Sequence, residues 1–163
     1  ITAMKKNTWL LIGIFVLVLV GIWLASASTR GGMKTDRTTR EVALACTTDM
    51  ATEFHIHPVI AIYVNGEQQI IPANVGIKPS CMTALHTHTA DGLIHVESPE
   101  KRDFTVADFF AVWEKPFSAT QIFEHVADGT HRVRMTVNGV EVNTFENTVL
   151  VDNDQIAIYY EII

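Results

Sequence analysis

Residues 54–66 read FHIHPVIAIYVNG, and this stretch decides the fold class. It is rich in β-branched and aromatic residues and ends on Asn65 and Gly66. Asn-Gly is the strongest short-range hairpin signal, because both central positions of a tight turn then tolerate positive φ. We read a strand over 54–64 and a partner returning around 69–71. Further along, 81–88 and 93–97 flank Thr89, Ala90, Asp91 and Gly92, a second hairpin with turn residues at its tip. The pattern then changes. Thr105 followed by Asp108 predicts an N-cap with an acid in the first turn, opening a short helix through Trp113. Phe109, Phe110, Val112 and Trp113 supply its apolar surface, and Pro116 stops it. Residues 132–137 alternate into a second Asn-Gly turn at Asn138 and Gly139, and 140–142 return. A last pair of strands, 148–151 and 156–162, is expected across Asp152, Asn153 and Asp154. Val-Asn-Gly recurs at Val64 and Val137, which we read as shared turn chemistry. The fold class expected is α+β: about seven or eight strands, mainly antiparallel, with one short helix.

Upstream of this domain the chain turns apolar. From Trp9 to Ala25 it reads WLLIGIFVLVLVGIWLA, 17 uncharged residues extending to about 20 with Thr8, Ser26 and Ala27. At about 1.5 Å per residue this approaches the thickness of the hydrocarbon layer. Trp9 and Trp23 stand near its ends, where indole rings favour the headgroups. The reading is one membrane-spanning helix that contacts the lipid bilayer. A cleaved signal peptide is the competing reading, since Lys5 and Lys6 precede the run and Ala25, Ser26 and Ala27 offer a small-residue cleavage site. Met4 is the first methionine and a candidate start.

Residues 26–41 are mainly Ser, Thr, Gly and Arg with almost no large apolar side chain, the composition of a solvated stalk. The organisation expected is therefore 1–27 tail and membrane helix, 28–45 polar stalk, and 46–163 the folded domain. Charge sharpens this division. Of 12 Lys and Arg, six precede Cys46 with only Asp36 and Glu41, so the remainder carries six bases and 16 acids. A domain with net charge −10 repels a phosphate backbone, so no nucleic-acid partner is expected. About 115–120 residues are also too few for a TIM barrel.

Orientation draws on two opposed signals. Arg30, Lys34, Arg37 and Arg40 after the apolar run outnumber Lys5 and Lys6 before it, which by the positive-inside rule favours a cytoplasmic domain. The signal-like start, the two cysteines and the β-rich domain favour export. We read the chain as a single-pass protein of the cytoplasmic (inner) membrane with its C-terminal domain on the periplasmic or extracellular side.

All seven histidines lie beyond residue 50, four of them in His-x-His pairs: His55 with His57, and His86 with His88. Residues two apart on a strand share a face. An even loop between the second pair and Leu93 puts His95 on that same face; with four loop residues His86 stands opposite His95, with two His88 does. Directly opposed residues lie about 4.5–5.5 Å apart. If the first pair lies alongside, four or five imidazoles cluster, a donor set suited to copper or zinc. Three histidines with an open position could activate water with Glu97 or Asp91 as base, a metal-dependent hydrolase. The alternative is a hydrogen-bonded polar patch or a contact surface. His125 and His131 read as ordinary surface or turn residues.

Cys46 and Cys81 are the only cysteines, and an even pair in an exported domain reads first as a disulfide. Closing about 35 residues stabilises by about 3–4 kcal/mol in the chain-entropy model. A thiolate ligand at Cys81 is the alternative. The chain carries no Cys-x-x-Cys, no Gly-rich phosphate loop, no nucleophile elbow and no His-Glu-x-x-His.

The strings FHIHPVIAIYVNG (54–66), IPANVGI (71–77), CMTALHTHTADGLIHVESP (81–99) and FTVADFFAVW (104–113) resemble a family of membrane-anchored extracytoplasmic domains of bacteria and archaea. Its pattern has a cysteine before His-x-His, a second before Leu-His-Thr-His, a Gly-x-Ile-His-Val-Glu run and an aromatic helix. The chain matches at Cys46, His55, His57, Cys81, His86, His88, Gly92, His95 and Glu97, and departs at Thr89, where the family has Asp. The resemblance implies an architecture and a site, and no activity. The His-Thr-His string is also similar to amidohydrolases and multicopper oxidases, but the former need a larger barrel and the latter further His-rich motifs that are absent.

Two functions are thus expected. The first is a non-enzymatic accessory subunit docking on the subunits of a membrane protein complex, respiratory, photosynthetic or similar. The second is a copper- or zinc-binding domain for metal storage, delivery or sensing, with His55, His57, His86, His88 and His95 as ligands.

Overall fold

A computed structural model describes residues 37–48 and 52–163. The apolar run with Trp9 and Trp23 lies outside the described residues, among which no helix is long and apolar enough to cross a membrane. The element order is α1 (Thr39–Leu44), β1 (Phe54–Ile56), β2 (Val59–Val64), β3 (Glu67–Gln69), β4 (Ile77–Lys78), β5 (Cys81–Met82), β6 (Leu85–His86), β7 (His95–Ser98) and α2 (Val106–Val112). It continues with β8 (Phe117–Ser118), β9 (Gln121–Ile122), β10 (His125–Val126), β11 (His131–Val137), β12 (Val140–Glu141), a 3-10 turn (Phe145–Asn147) and β13 (Gln155–Ile162).

The largest sheet has the order β12-β11-β13-β2-β3. Its alternation is plain: Ile60, Ile62, Val133, Met135, Ile156 and Ile158 turn inward and are buried. On the other face Arg132 and Arg134 hold Glu161, and the Arg134 guanidinium lies 3.9 Å over the Tyr159 ring, which stacks on Tyr63. The inward side chains join Phe104, Val106, Phe109, Phe110 and Leu150 in one core. Both Asn-Gly turns form with positive φ, at Asn65 and Gly66 and at Asn138 and Gly139. The first return strand starts at Glu67, earlier than expected, because a two-residue turn leaves no slack.

The helix from Thr105 is as expected. The Asp108 carboxylate accepts from the Thr105 backbone N–H (2.8 Å) and hydroxyl (3.0 Å), and its other oxygen meets Arg40 at 2.7 Å. Arg40 belongs to α1, which lies within the stretch that composition reads as stalk. That helix is capped by Thr38 and Glu41 in a reciprocal box, and its Ala43 is fully buried. One compact unit comprises Arg37–Ile163.

The domain is mainly antiparallel, yet three details differ from the sequence reading. Thirteen strands form among the described residues, many of only two residues. Residues 54–64 are two strands in different sheets, broken at His57 and Pro58, since proline has no N–H for a ladder. Residues 148–151 make no strand beyond a bridge from Val149 to Thr105; β13 pairs antiparallel with β11 and parallel with β2.

Candidate metal centre

The histidines gather on a small sheet of order β1-β7-β6. Its register explains the grouping. Ile56 and Leu85 both oppose Val96, and all three face the core. One residue along, the opposite face carries His55 across from Glu97, and His86 across from His95. This is the register of a four-residue loop. His57 follows β1 directly, and its ring centroid lies 4.7 Å from that of His95. His88 follows β6, with its ring 4.6 Å from His95 and 4.9 Å from His86.

Five imidazoles therefore surround one position on the central strand. The rings of His86 and His95 are nearly parallel with centroids 5.4 Å apart, and His55 lies 6.0 Å from His95 and 4.4 Å from His57. Two trios have one nitrogen from each residue within 4.8 Å of the others: His55, His57 and His95, and His86, His88 and His95. Nitrogens bound at about 2.0–2.1 Å lie about 3.3 Å apart around a tetrahedral ion and at most about 4.2 Å apart. Side-chain adjustments of about an ångström bring either trio to that spacing.

Local chemistry holds His86 in place. Its Nδ1 lies 3.1 Å from the Thr83 carbonyl oxygen, which can only accept, so Nδ1 carries the proton and Nε2 the lone pair. His86 is fully buried, and its Nε2 has no hydrogen-bond partner, nor has the buried Nδ1 of His95. A carbonyl behind a histidine is the support that orients metal-ligating imidazoles. The Thr83 hydroxyl donates to Leu85 O (2.7 Å). Gly76 backs this turn at φ +74°, where a Cβ would sit 2.3 Å from the Thr83 hydroxyl oxygen. Thr87, between the paired histidines, turns inward; its hydroxyl donates to Pro72 O (2.8 Å) and accepts from Val75 N–H (3.0 Å).

The other histidine-bearing segments are fastened too. The His57 backbone N–H donates to Asp152 Oδ1 (2.8 Å). Ile94 N–H donates to Pro58 O and Ile60 N–H to Gly92 O, both at 2.9 Å, joining the hairpin to the start of β2. Gly92 (φ +84°) is required there, since a Cβ would lie 2.3 Å from Ile60 O. The disulfide is present, Cys46 to Cys81 with Cα atoms 5.3 Å apart, so Cys81 offers no thiolate. It ties the end of α1 to the strand that leads into the histidine hairpin.

Burial and neighbouring charge favour the neutral form of the two central rings. Burial lowers the His86 pKa, against upward pulls from the Thr83 carbonyl and Glu97. Burial likewise lowers that of His95, helped by His57, His88 and His86. Neutral imidazole is the ligand form. Glu97 Oε1 stands 3.1 Å from His55 Nε2 and 3.9 Å from His95 Nδ1. Asp91 faces its own loop: its Oδ1 accepts from Leu93 N–H (3.1 Å), and that bond chiefly lowers its pKa. His125 and His131 lie apart, packed on Tyr160. Sequence reasoning missed the Thr83 carbonyl, because a backbone atom has no residue signature.

Comparison of the chain with protein-family models, curated proteins and solved structures finds no match.

Proposed function

We propose that this chain is a copper- or zinc-binding domain, carried on an extracytoplasmic membrane surface by the apolar run 9–25, that stores, delivers or senses the ion. The observation that carries this reading is the fully buried His86, whose Nε2 has no partner while Thr83 holds its Nδ1. An unsatisfied buried nitrogen is costly unless something binds it. Imidazoles alone favour zinc and copper over magnesium or calcium, which take oxygen ligands. Glu97 beside His55 supplies negative charge against a divalent ion. The role is binding, without turnover; a screen for hydrolysis with and without chelator tests that part.

The test uses the full-length chain, extracted in detergent and purified without a His tag, loaded with zinc or Cu(II) and freed of excess. The wild type retains metal, and His86→Ala with His88→Ala retains less. Equal and negligible metal in both overturns the proposal. Protease treatment of intact spheroplasts tests the location, and a protected domain would place it in the cytosol.

A second reading, an accessory subunit docked on a membrane protein complex, draws on apolar exposure. Ile70 is 74% exposed at a groove of about 620 Å³ whose lining mixes Trp113, Pro116 and Phe123 with polar and charged side chains such as Glu114 and Lys115. The two readings are compatible, since an ion can brace a docking surface. Crosslinking in membranes that captures no neighbour would remove the second.

A further inference from the structure

We infer that the five imidazoles hold two ions that share His95 as a common ligand. This rests on the metal-binding reading and concerns how the site is divided. The two trios have only His95 in common. One draws on the end of β1 and the other on the end of β6, and these strands flank β7 on opposite sides. Among the described residues no set of four or five of these nitrogens lies mutually within 4.8 Å, so as the rings are placed a single ion takes one His-x-His pair with His95 and leaves the other pair free. Within each pair the rings are close, at 4.4 Å and 4.9 Å, and each pair has a member within 4.7 Å of His95.

His95 has the means to serve both. An imidazole carries two ring nitrogens on different edges, and the buried Nδ1 of His95 has no hydrogen-bond partner. A neutral ring binds the first ion through its lone pair. The second replaces the remaining N–H proton, which passes to solvent, and the ring becomes a bridging imidazolate. That negative charge, with the Glu97 carboxylate 3.9 Å from Nδ1, offsets repulsion between the cations. The two positions differ at one member: His86 is fully buried, whereas His88 and His55 are exposed and His57 and His95 are half-buried.

The experiment titrates the untagged full-length chain with Cu(II), removes loose ion by gel filtration, and measures copper per chain and paramagnetic resonance intensity. The expected result is two coppers per chain with intensity far below two independent spins, because an imidazolate couples them antiferromagnetically. His55→Ala with His57→Ala, at an accessible edge, should halve the copper and restore a full signal from the one remaining. His86→Ala with His88→Ala should do the same from the other side. One copper per wild-type chain overturns the inference and leaves the metal-binding reading standing. Two coppers with full, uncoupled intensity also overturn it, and no copper removes both.

Discussion

The five-stranded sheet and the three-stranded histidine sheet share one core and follow opposite rules. In the first, β11 and β13 pair over seven successive residues, from His131 with Ile162 to Val137 with Ile156. In the second, β6 and β7 pair over two, Leu85 with Val96 and His86 with His95. The long ladder supports itself. The short one is held by Thr83 and Gly76 against the backbone of β6, by Thr87 against the backbone at Pro72 and Val75, and by Gly92 against that of β2. Among the described residues the first region has no buried side-chain nitrogen or oxygen without a partner; the other leaves two ring nitrogens unsatisfied. On the proposed reading, stability and ion binding fall to different sheets.

The sharpest break of this division is a cavity in the large sheet. Ile158→Ala, at a fully buried position, should cost about 2–5 kcal/mol in denaturant unfolding. Metal per folded chain should stay the same; a loss of metal would mean that the sheets are not independent. Next comes Gly92→Ala. Its Cβ would meet the backbone oxygen of Ile60 at 2.3 Å with φ at +84°. We expect a loss of more than about 1 kcal/mol, together with weaker zinc binding as the hairpin shifts. Unchanged zinc binding would show that the hairpin is not fixed through this contact.

His86→Leu removes an unsatisfied buried nitrogen but leaves the buried Thr83 carbonyl without its donor, so the metal-free protein should lose about 1–3 kcal/mol at most. Added zinc should raise the melting temperature of this variant less than that of the wild type, because the trio of His55, His57 and His95 remains. The smallest effect lies at the entry to β11. Asp128 is held at a pKa of about 2, below its model-compound 3.8, chiefly by the Thr130 backbone N–H, then by the Thr130 hydroxyl and the His131 N–H. A lowered carboxylate pKa stabilises above 3.8, and the contribution is lost as the pH falls towards 2. Asp128→Asn should flatten the stability profile in that acid window alone, as read by unfolding at stepped pH.

Local chemistry was the legible part of the fold. Asn65 with Gly66 and Asn138 with Gly139 each announce a turn that forms, and Thr105 with Asp108 announces the helix start. An even loop puts His86 and His95 on one face, because side-chain direction alternates strictly, but leaves either His86 or His88 opposite His95; the pairing formed is His86 with His95. Non-local features were not legible. Nothing near β13 in the chain indicates that it lies parallel to β2, about 100 residues away, and parallel pairing has no turn to signal it. Two-residue strands such as β4 and β5 exist only through their partners. The short helix α1 hid in a polar segment because Ala43 alone carries its fully buried contact, too little to make a periodic pattern.

Gly92 also bears on whether the histidine hairpin is portable. Its carbonyl and missing side chain are matched to the main chain at Ile60, not to any particular side chain there. Transplanting residues 81–99 into a foreign scaffold would therefore bring the imidazoles without the surface that aims them. A graft that keeps the geometry must import the first turn-free residues of β2 as well, making the smallest transferable unit two discontinuous pieces of chain.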